Sequence, residues 1–431
     1  MTDNQPDIQP DIFADNTMAR KRAPKPAVIE DRGENISKME PLLISQEAPR
    51  RGELVDLAVE LAAQAVGFKR SIPEGLLAPL IDLVRSMNCY YSNIIEGHYT
   101  HPLDIERALN NDYTADKKKR DLQQEAKAHI TVQRWIDQGG LRGRAANFEG
   151  LREIHREFCS KIPDELLWVE DPETRERVRV VPGEPRDRFV MVGRHKAISP
   201  GAVPRFMRRY EEVYSNLGRS ETIIAAAASH HRFLWIHPFL DGNGRVARLA
   251  SHAIFLETLD TGGIWSIARG LARSVDAYKQ HLAACDSDRH GDRDGRGALS
   301  ESNLTNFTIF FLKTCLDQVQ FMEKLMQPDQ LRSRVLSWAE EESKLGALPA
   351  KSGQILEAIL YRGQLPRADI PKLLQVTERQ ALRIVTPLHA RGVLTSLNSR
   401  APWRLAFPVN LAQRWMPGLY PEASDPHSAD D

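Results

Sequence analysis

Two glycines set two residues apart, between two runs of helical character, constrain this chain most. The stretch is His237-Pro238-Phe239-Leu240-Asp241-Gly242-Asn243-Gly244-Arg245-Val246-Ala247-Arg248. Before it, Thr222 to Trp235 is built on Ala225 to Ala228 and predicts a helix. After it, Val246, Leu249, Ala250, Ala253 and Ile254 recur at helical spacing. The pattern is helix, tight loop, helix.

The residue types in that loop point to phosphate. Gly242 and Gly244 reach backbone angles closed to other residues, so successive amides can turn inward. Those amides open a helix, where unpaired N–H groups and the helix dipole attract anions. Arg245 and Arg248 stand three apart, on one helical face, and each offers a planar fork of donors. Asp241 is a hard oxygen ligand, suited to a magnesium ion that carries a polyphosphate. His237 titrates near neutrality, as a general base for a hydroxyl must. Singly, each residue has an ordinary structural explanation; gathered in twelve residues, they argue for a site.

The stretch resembles the motif of the Fic family, His-Pro-Phe-x-Asp-Gly-Asn-Gly-Arg-x-x-Arg, at every specified position. The resemblance implies a mostly α fold with a Fic-type helical core. It implies transfer of AMP from ATP and Mg2+ to a Ser, Thr or Tyr hydroxyl of a target protein. By position, His237 would take the hydroxyl proton and Asp241 would hold the metal. Gly242, Asn243, Gly244 and Arg245 would cradle the α- and β-phosphates, and Arg248 the γ-phosphate. Gly244 stands where the Doc branch, which transfers phosphate, carries Lys, and this favours AMP.

A second resemblance lies upstream. A helix is expected from about Pro79 to Glu96, with Leu80, Ile81, Val84, Met87, Tyr91 and Ile95 along one side and Gly97 as its stop. Ser92 and Glu96 share a face of it. With Gly97 they match the family's inhibitory pattern, Ser-x-x-x-Glu-Gly. The resemblance implies that Glu96 pairs with Arg248, supported by Ser92, and displaces the γ-phosphate.

The remaining chain divides by composition and rhythm. Its 431 residues suffice for two to three domains, expected as a disordered polar tail (1–45), a helical region with the inhibitory helix (46–130), the Fic core (131–326), a winged-helix module (327–415) and a tail (416–431). Arg20-Lys21-Arg22 reads as solvated linker. Formal net charge is zero, which favours neither nucleic acid nor membrane, and no apolar run is long enough to span a bilayer. Four scattered cysteines, Cys89, Cys159, Cys285 and Cys315, read as reduced thiols of a cytoplasmic protein. Asp286 to Gly297 imitates a calcium loop, but Gly297 stands where a bidentate Glu is required.

Arg177 to Val181 and Arg188 to Val192, with Pro182-Gly183-Glu184-Pro185 between, predict a β-hairpin. In the family such a hairpin is the flap that docks the target, here residues 177–193. Tyr278 and Asp286 are the candidates for the adenosine side, although the family often has Asn near the latter. Across 351–410, three short helices and two strands resemble a winged helix-turn-helix, with nine Lys or Arg against three Asp or Glu. Three functions remain in play: an adenylyltransferase with a built-in brake, the same site removing AMP or moving another phosphate group, and a nucleotide-sensing DNA-binding regulator. Self-modification and a homodimer accompany the first.

Overall fold

The computed structural model describes residues 29–170 and 175–421. Arg20-Lys21-Arg22 lies outside them. The expected polar tail does not reach residue 45. Met39, Leu42 and Ile44 are buried, and Leu299 N–H donates to the Glu40 carbonyl at 2.8 Å. Three apolar side chains within six residues are enough to fasten this segment to the core.

Helix α1 (Arg51–Ser71) leads into α2 (Glu74–Ile95). The latter begins five residues before Pro79, so this proline sits inside the helix rather than in its first turn. The ring removes a single bond, to the Gly75 carbonyl, close to a helix start where several amides are unpaired anyway. Three side-chain caps start the next helices: His101 for α3 (Pro102–Leu109), Asp116 for α4 (Lys117–Asp137) and Asn147 for α5 (Phe148–Cys159). The domain boundary expected between residues 130 and 131 falls inside α4, so the chain does not divide there.

Two small antiparallel ribbons follow: β1 (Trp168–Glu170) with β2 (Arg177–Arg179), and β3 (Met191–Val192) with β4 (His195–Lys196). This corrects the single hairpin read from the sequence. The two valine-rich segments each pair with an outside neighbour, not with one another. The stretch between them is claimed by the helical core instead. Gly183 N–H donates to His155 Nδ1 at 2.8 Å, and Arg186 N–H to the Pro238 carbonyl at 2.8 Å.

The centre of the molecule is built from α6 (Val203–Tyr214), α7 (Arg219–Ile236), α8 (Asn243–Leu259), α9 (Ile267–Arg273), α10 (Val275–Cys285) and α11 (Glu301–Leu325). Helix α7 is buried on almost every side from Ile223 to Phe233, which a run of small alanines permits. It packs along α8, with α6, α1 and α11 around the pair. All four cysteines are buried and unpaired.

Beyond residue 327 the sequence reading omitted one helix, α12 (Pro328–Lys344). Its signal was present: Pro328 at the start, then Leu331, Val335, Trp338 and Ala339 at helical spacing, all four buried. The expected elements come next in order: α13 (Ser352–Arg362), α14 (Ile370–Leu374), and α15 (Glu378–Ala390) with a capping box on Thr377. The ribbon β5 (Leu394–Thr395) with β6 (Arg404–Leu405) is shorter than expected. The final helix is α16 (Ala412–Trp415), and residues 416–421, expected as the start of the tail, pack on the core. Met416, Leu419 and Tyr420 are buried, and Tyr91 of α2 donates to the Leu419 carbonyl at 2.8 Å. No helix among the described residues is long and apolar enough to cross a membrane.

Candidate active site

The loop between α7 and α8 is held by its own residues. His237 ends α7 in the left-handed region at φ 51°, which turns the chain sharply. Its Nδ1 lies 3.2 Å from the Leu234 carbonyl, an acceptor only, so Nδ1 carries the proton and Nε2 keeps its lone pair. Burial pushes its pKa down to about 4, so the ring is neutral at pH 7. Phe239 is fully buried and stacks on His155 at 4.0 Å between ring centroids.

Asn243 was expected in the phosphate cradle, and its side chain is not there. The carboxamide accepts from Phe239 N–H at 3.0 Å and donates to the Phe239 carbonyl at 2.8 Å. It shapes the loop, and only its backbone opens α8. Gly242, at φ 78°, caps that helix, which places the first amides of α8 beside Asp241. Asp241 is exposed.

The two arginines are buried and already paired. Arg248 donates from Nε to Ser92 Oγ at 2.8 Å, and from Nη2 to the Glu96 carboxylate. So α2 brings Ser92 and Glu96 onto Arg248 across the sequence, and Ser92 touches the guanidinium itself. A Cβ on Gly244 would collide with the Glu96 carboxylate, which therefore lies over the first turn of α8. Burial raises the Glu96 pKa, but Arg248 and Arg245 outweigh it and hold the carboxyl below its ordinary value.

Arg245 has a partner that the sequence reading missed. Its Nη2 donates to Glu125 of α4, and His98 Nδ1 lies 3.1 Å from both carboxylate oxygens of Glu125. The hydrogen bond to Glu125 raises the His98 pKa. Glu125 shares a helical stripe with His129, Val132 and Ile136, all buried, and this was the available clue that it points inward. Arg245 Nε is buried without a partner among the described residues.

Of the two adenosine-side candidates, Tyr278 lies beside Arg248 and Asp286 lies against His231. Tyr278 is buried, with its hydroxyl 2.6 Å from His230 Nε2. Asp286 lies 3.0 Å from His231 Nε2. Both bind α10 to α7 through side-chain polar contacts.

A groove of about 730 Å³ opens over His237 and Leu240. Its walls come from both ribbons and include Val169, Val178, Phe189 and Met191. Met191 is 67% exposed and Val192 45%, an unusual surface for two adjacent apolar residues. Arg186 fastens this region to the loop, donating to the His237 carbonyl at 2.8 Å and the Ile198 carbonyl at 2.6 Å.

The residues present fit a metal–polyphosphate ligand. Unpaired amides of α8, the unpartnered Arg245 Nε and the exposed Asp241 converge at one helix end. Among the described residues no three His, Cys, Asp or Glu side chains form a metal cluster. A single carboxylate suits an ion that arrives on phosphate oxygens.

Residues 146–255 match the Fic/DOC family. The chain is similar to "Protein adenylyltransferase Fic" of Drosophila yakuba, 26% identical over 170 residues, which is 39% of this chain and 31% of that protein. It is also similar to the protein of the same name from Drosophila persimilis, 24% identical over 215 residues, 48% of this chain and 39% of that one. The matched stretch thus spans about a third of those relatives' own length. A crystal structure of a Fic family protein from Desulfovibrio desulfuricans G20 shares the fold, with a TM-score of 0.51 at 17% identity, over 85% of this chain and 98% of that one. The stretch similar to the Fic/DOC family, residues 146–255, contains the whole loop from His237 to Arg248.

Proposed function

We propose that the chain is a protein adenylyltransferase restrained by Glu96. The observation that carries this reading is the neutral His237 beside the groove, with Nδ1 bonded and Nε2 left free, at the entrance of the loop that leads into α8 and its two arginines. A target segment in the groove would present a Ser, Thr or Tyr hydroxyl to that nitrogen. The hydroxyl proton passes to Nε2 as the oxygen bonds to the α-phosphorus of ATP. The bond from that phosphorus to the β-phosphate bridging oxygen breaks, and pyrophosphate leaves. Arg245 and the α8 amides neutralise phosphate charge, which is most of what phosphoryl chemistry asks of a protein. Magnesium, when bound, adds further charge neutralisation, and Asp241 is the residue here that would hold it.

Glu96 opposes this arrangement in two ways. It occupies Arg248, and it sets a negative charge over the bare Gly244 where phosphate oxygens would lie. Helices α13 to α15 with the β5–β6 ribbon are proposed as a winged-helix docking module. Arg379 and Arg383 are exposed on α15.

The test compares wild type, Glu96→Gly, and Glu96→Gly with His237→Ala, each given ATP labelled on the α- or the γ-phosphate. Label from the α-phosphate alone, strong only in Glu96→Gly, supports the proposal. Label from the γ-phosphate would replace AMP transfer by phosphate transfer.

A further inference from the structure

One buried imidazole touches both the loop after His237 and the turn between the two ribbons. His155 lies on the apolar stripe of α5 and is fully buried. Its Nδ1 accepts from Gly183 N–H at 2.8 Å, in the turn between the two ribbons. With Nδ1 an acceptor, the ring proton sits on Nε2, which faces the Asp241 backbone carbonyl and, at 3.4 Å, Cys159 Sγ. The ring plane lies within 3° of that of Phe239, and a Cβ on Gly242 would stand 3.6 Å from its edge. Phe239, Asp241 and Gly242 are three of the four residues from 239 to 242, so this ring lies along one side of the loop.

The turn it grips is fixed from elsewhere as well. Arg152 Nε donates to the Gly183 carbonyl at 2.8 Å, and Gly183 itself sits at φ 77°, where a side chain would strike Arg156. The chain leaves this turn through Arg186, which holds the His237 carbonyl. A shift of the Asp241 carbonyl would therefore be felt at Gly183, and a shift of the turn at Asp241.

We infer that His155 is a positioning residue that couples Asp241, the metal-holding end of the loop, to the turn beneath the target-docking ribbons. The inference rests on the proposed function for the role of Asp241. It assigns His155 no contact with nucleotide or target. Its effect passes through the backbone of residues 239–242 and 183–186.

The experiment uses the full chain with Glu96→Gly, adding His155→Phe, which keeps a flat ring against Phe239 and removes both nitrogens. His155→Gln is the rescue, because its carboxamide can still donate toward the Asp241 carbonyl. Calorimetry gives ATP affinity with and without magnesium, and hydrogen exchange reads the backbone without any ligand. Expected for His155→Phe are metal-free ATP affinity within about twofold and a loss of about tenfold in the affinity gained on adding magnesium, the scale of residues that orient a metal ligand. His155→Gln should recover most of that gain. Exchange should rise together at 183–186 and 239–244. An unchanged magnesium gain, or a rise in exchange at one end only, would overturn the coupling. Equal loss of metal-free and metal-bound affinity would assign His155 a structural role only. Absence of labelling by Glu96→Gly itself would sink the transfer chemistry, and the exchange comparison would still decide the coupling.

Discussion

Arg248 has two kinds of neighbour. Toward α7 and α10 it faces His230 and Tyr278, buried polar groups that are bonded to one another and, through His230, to Ser251, and the adjoining loop is saturated by Asn243 and Arg186. On the other side α2 lays Asn88 and Ser92 against His129 and Gln133 of α4, Asn88 bonds Ser266, the cap of α9, and Asn93 is buried next to Ser92. All of these are buried and polar. Asn93 and Gln133 have no side-chain hydrogen bond among the described residues, nor has His129 at Nδ1. Buried polar groups that satisfy one another fix geometry, whereas buried polar groups without partners each forfeit about 1–3 kcal/mol. One side of the arginine is therefore rigid and the other is inexpensive to open. That is what a fixed catalytic loop and a releasable brake require.

The largest effect should come from the rigid side. In the Glu96→Gly background, His237→Ala is expected to lower the labelling rate by at least about a hundredfold, the usual contribution of a positioned base. Because burial holds the His237 pKa at about 4, the acid limb of the rate should also fall near pH 4. The sign follows from the base form: His237 must be neutral to accept a proton, so the rate is lost as pH drops through 4 and is flat from about 5 to 8 on this group's account. A midpoint near 6.5, the ordinary histidine value, would show that the base is solvated or is another residue.

The brake comes next. Glu96→Gly should raise labelling by about ten- to a hundredfold over wild type, the range of a coupling energy of 1–3 kcal/mol. The gain should appear mainly as tighter ATP binding, since the freed Arg248 is a ligand for phosphate. Equal ATP affinity in the two proteins would separate the Glu96–Arg248 pair from any inhibitory role.

These contrasts also explain what could be read from the chain. The loop was legible because its twelve residues act locally, and glycine, histidine and arginine declare their chemistry by type. The contacts of Ser92 and Glu96 with Arg248 join residues more than 150 positions apart, and only the family pattern signalled them. Glu125 and His98 carried no such pattern, although the stripe on α4 pointed inward. The two ribbons differ from the single hairpin because Arg177–Val181 and Arg188–Val192 both have strand character, while Gly183 and Arg186 between them are tied to His155 and to the His237 carbonyl, outside the segment. Residues 29–45 were mistaken for tail because three buried side chains are too few to register as a pattern in a polar stretch.

Within the rigid side, Asn243→Ala gives the sharpest measure of loop order. It deletes two buried hydrogen bonds and leaves the Phe239 amide and carbonyl without partners. A loss of about 2–4 kcal/mol in unfolding free energy is expected from two such groups. Denaturant midpoints would record it, and a change below about 0.5 kcal/mol would mean that Phe239 alone holds the loop.

The smallest effect should come from the polar side and run in the opposite direction. Asn93 is fully buried on α2, next to Ser92, and neither end of its carboxamide has a partner among the described residues. Leucine has nearly its volume and none of its desolvation cost. Asn93→Leu is therefore expected to stabilise the chain by about 1 kcal/mol, because a buried polar group without partners is exchanged for an apolar one. The same change should tighten α2 against α4 and hold Glu96 on Arg248 for longer, lowering wild-type labelling about fivefold if the full 1 kcal/mol reaches the closed state. In the Glu96→Gly background the stability gain should persist while the effect on labelling disappears, since no carboxylate remains for the tighter helix to deliver. A fall in labelling of the same size in both backgrounds would place the effect in the catalytic loop, and the division between a rigid and a releasable side of Arg248 would then fail.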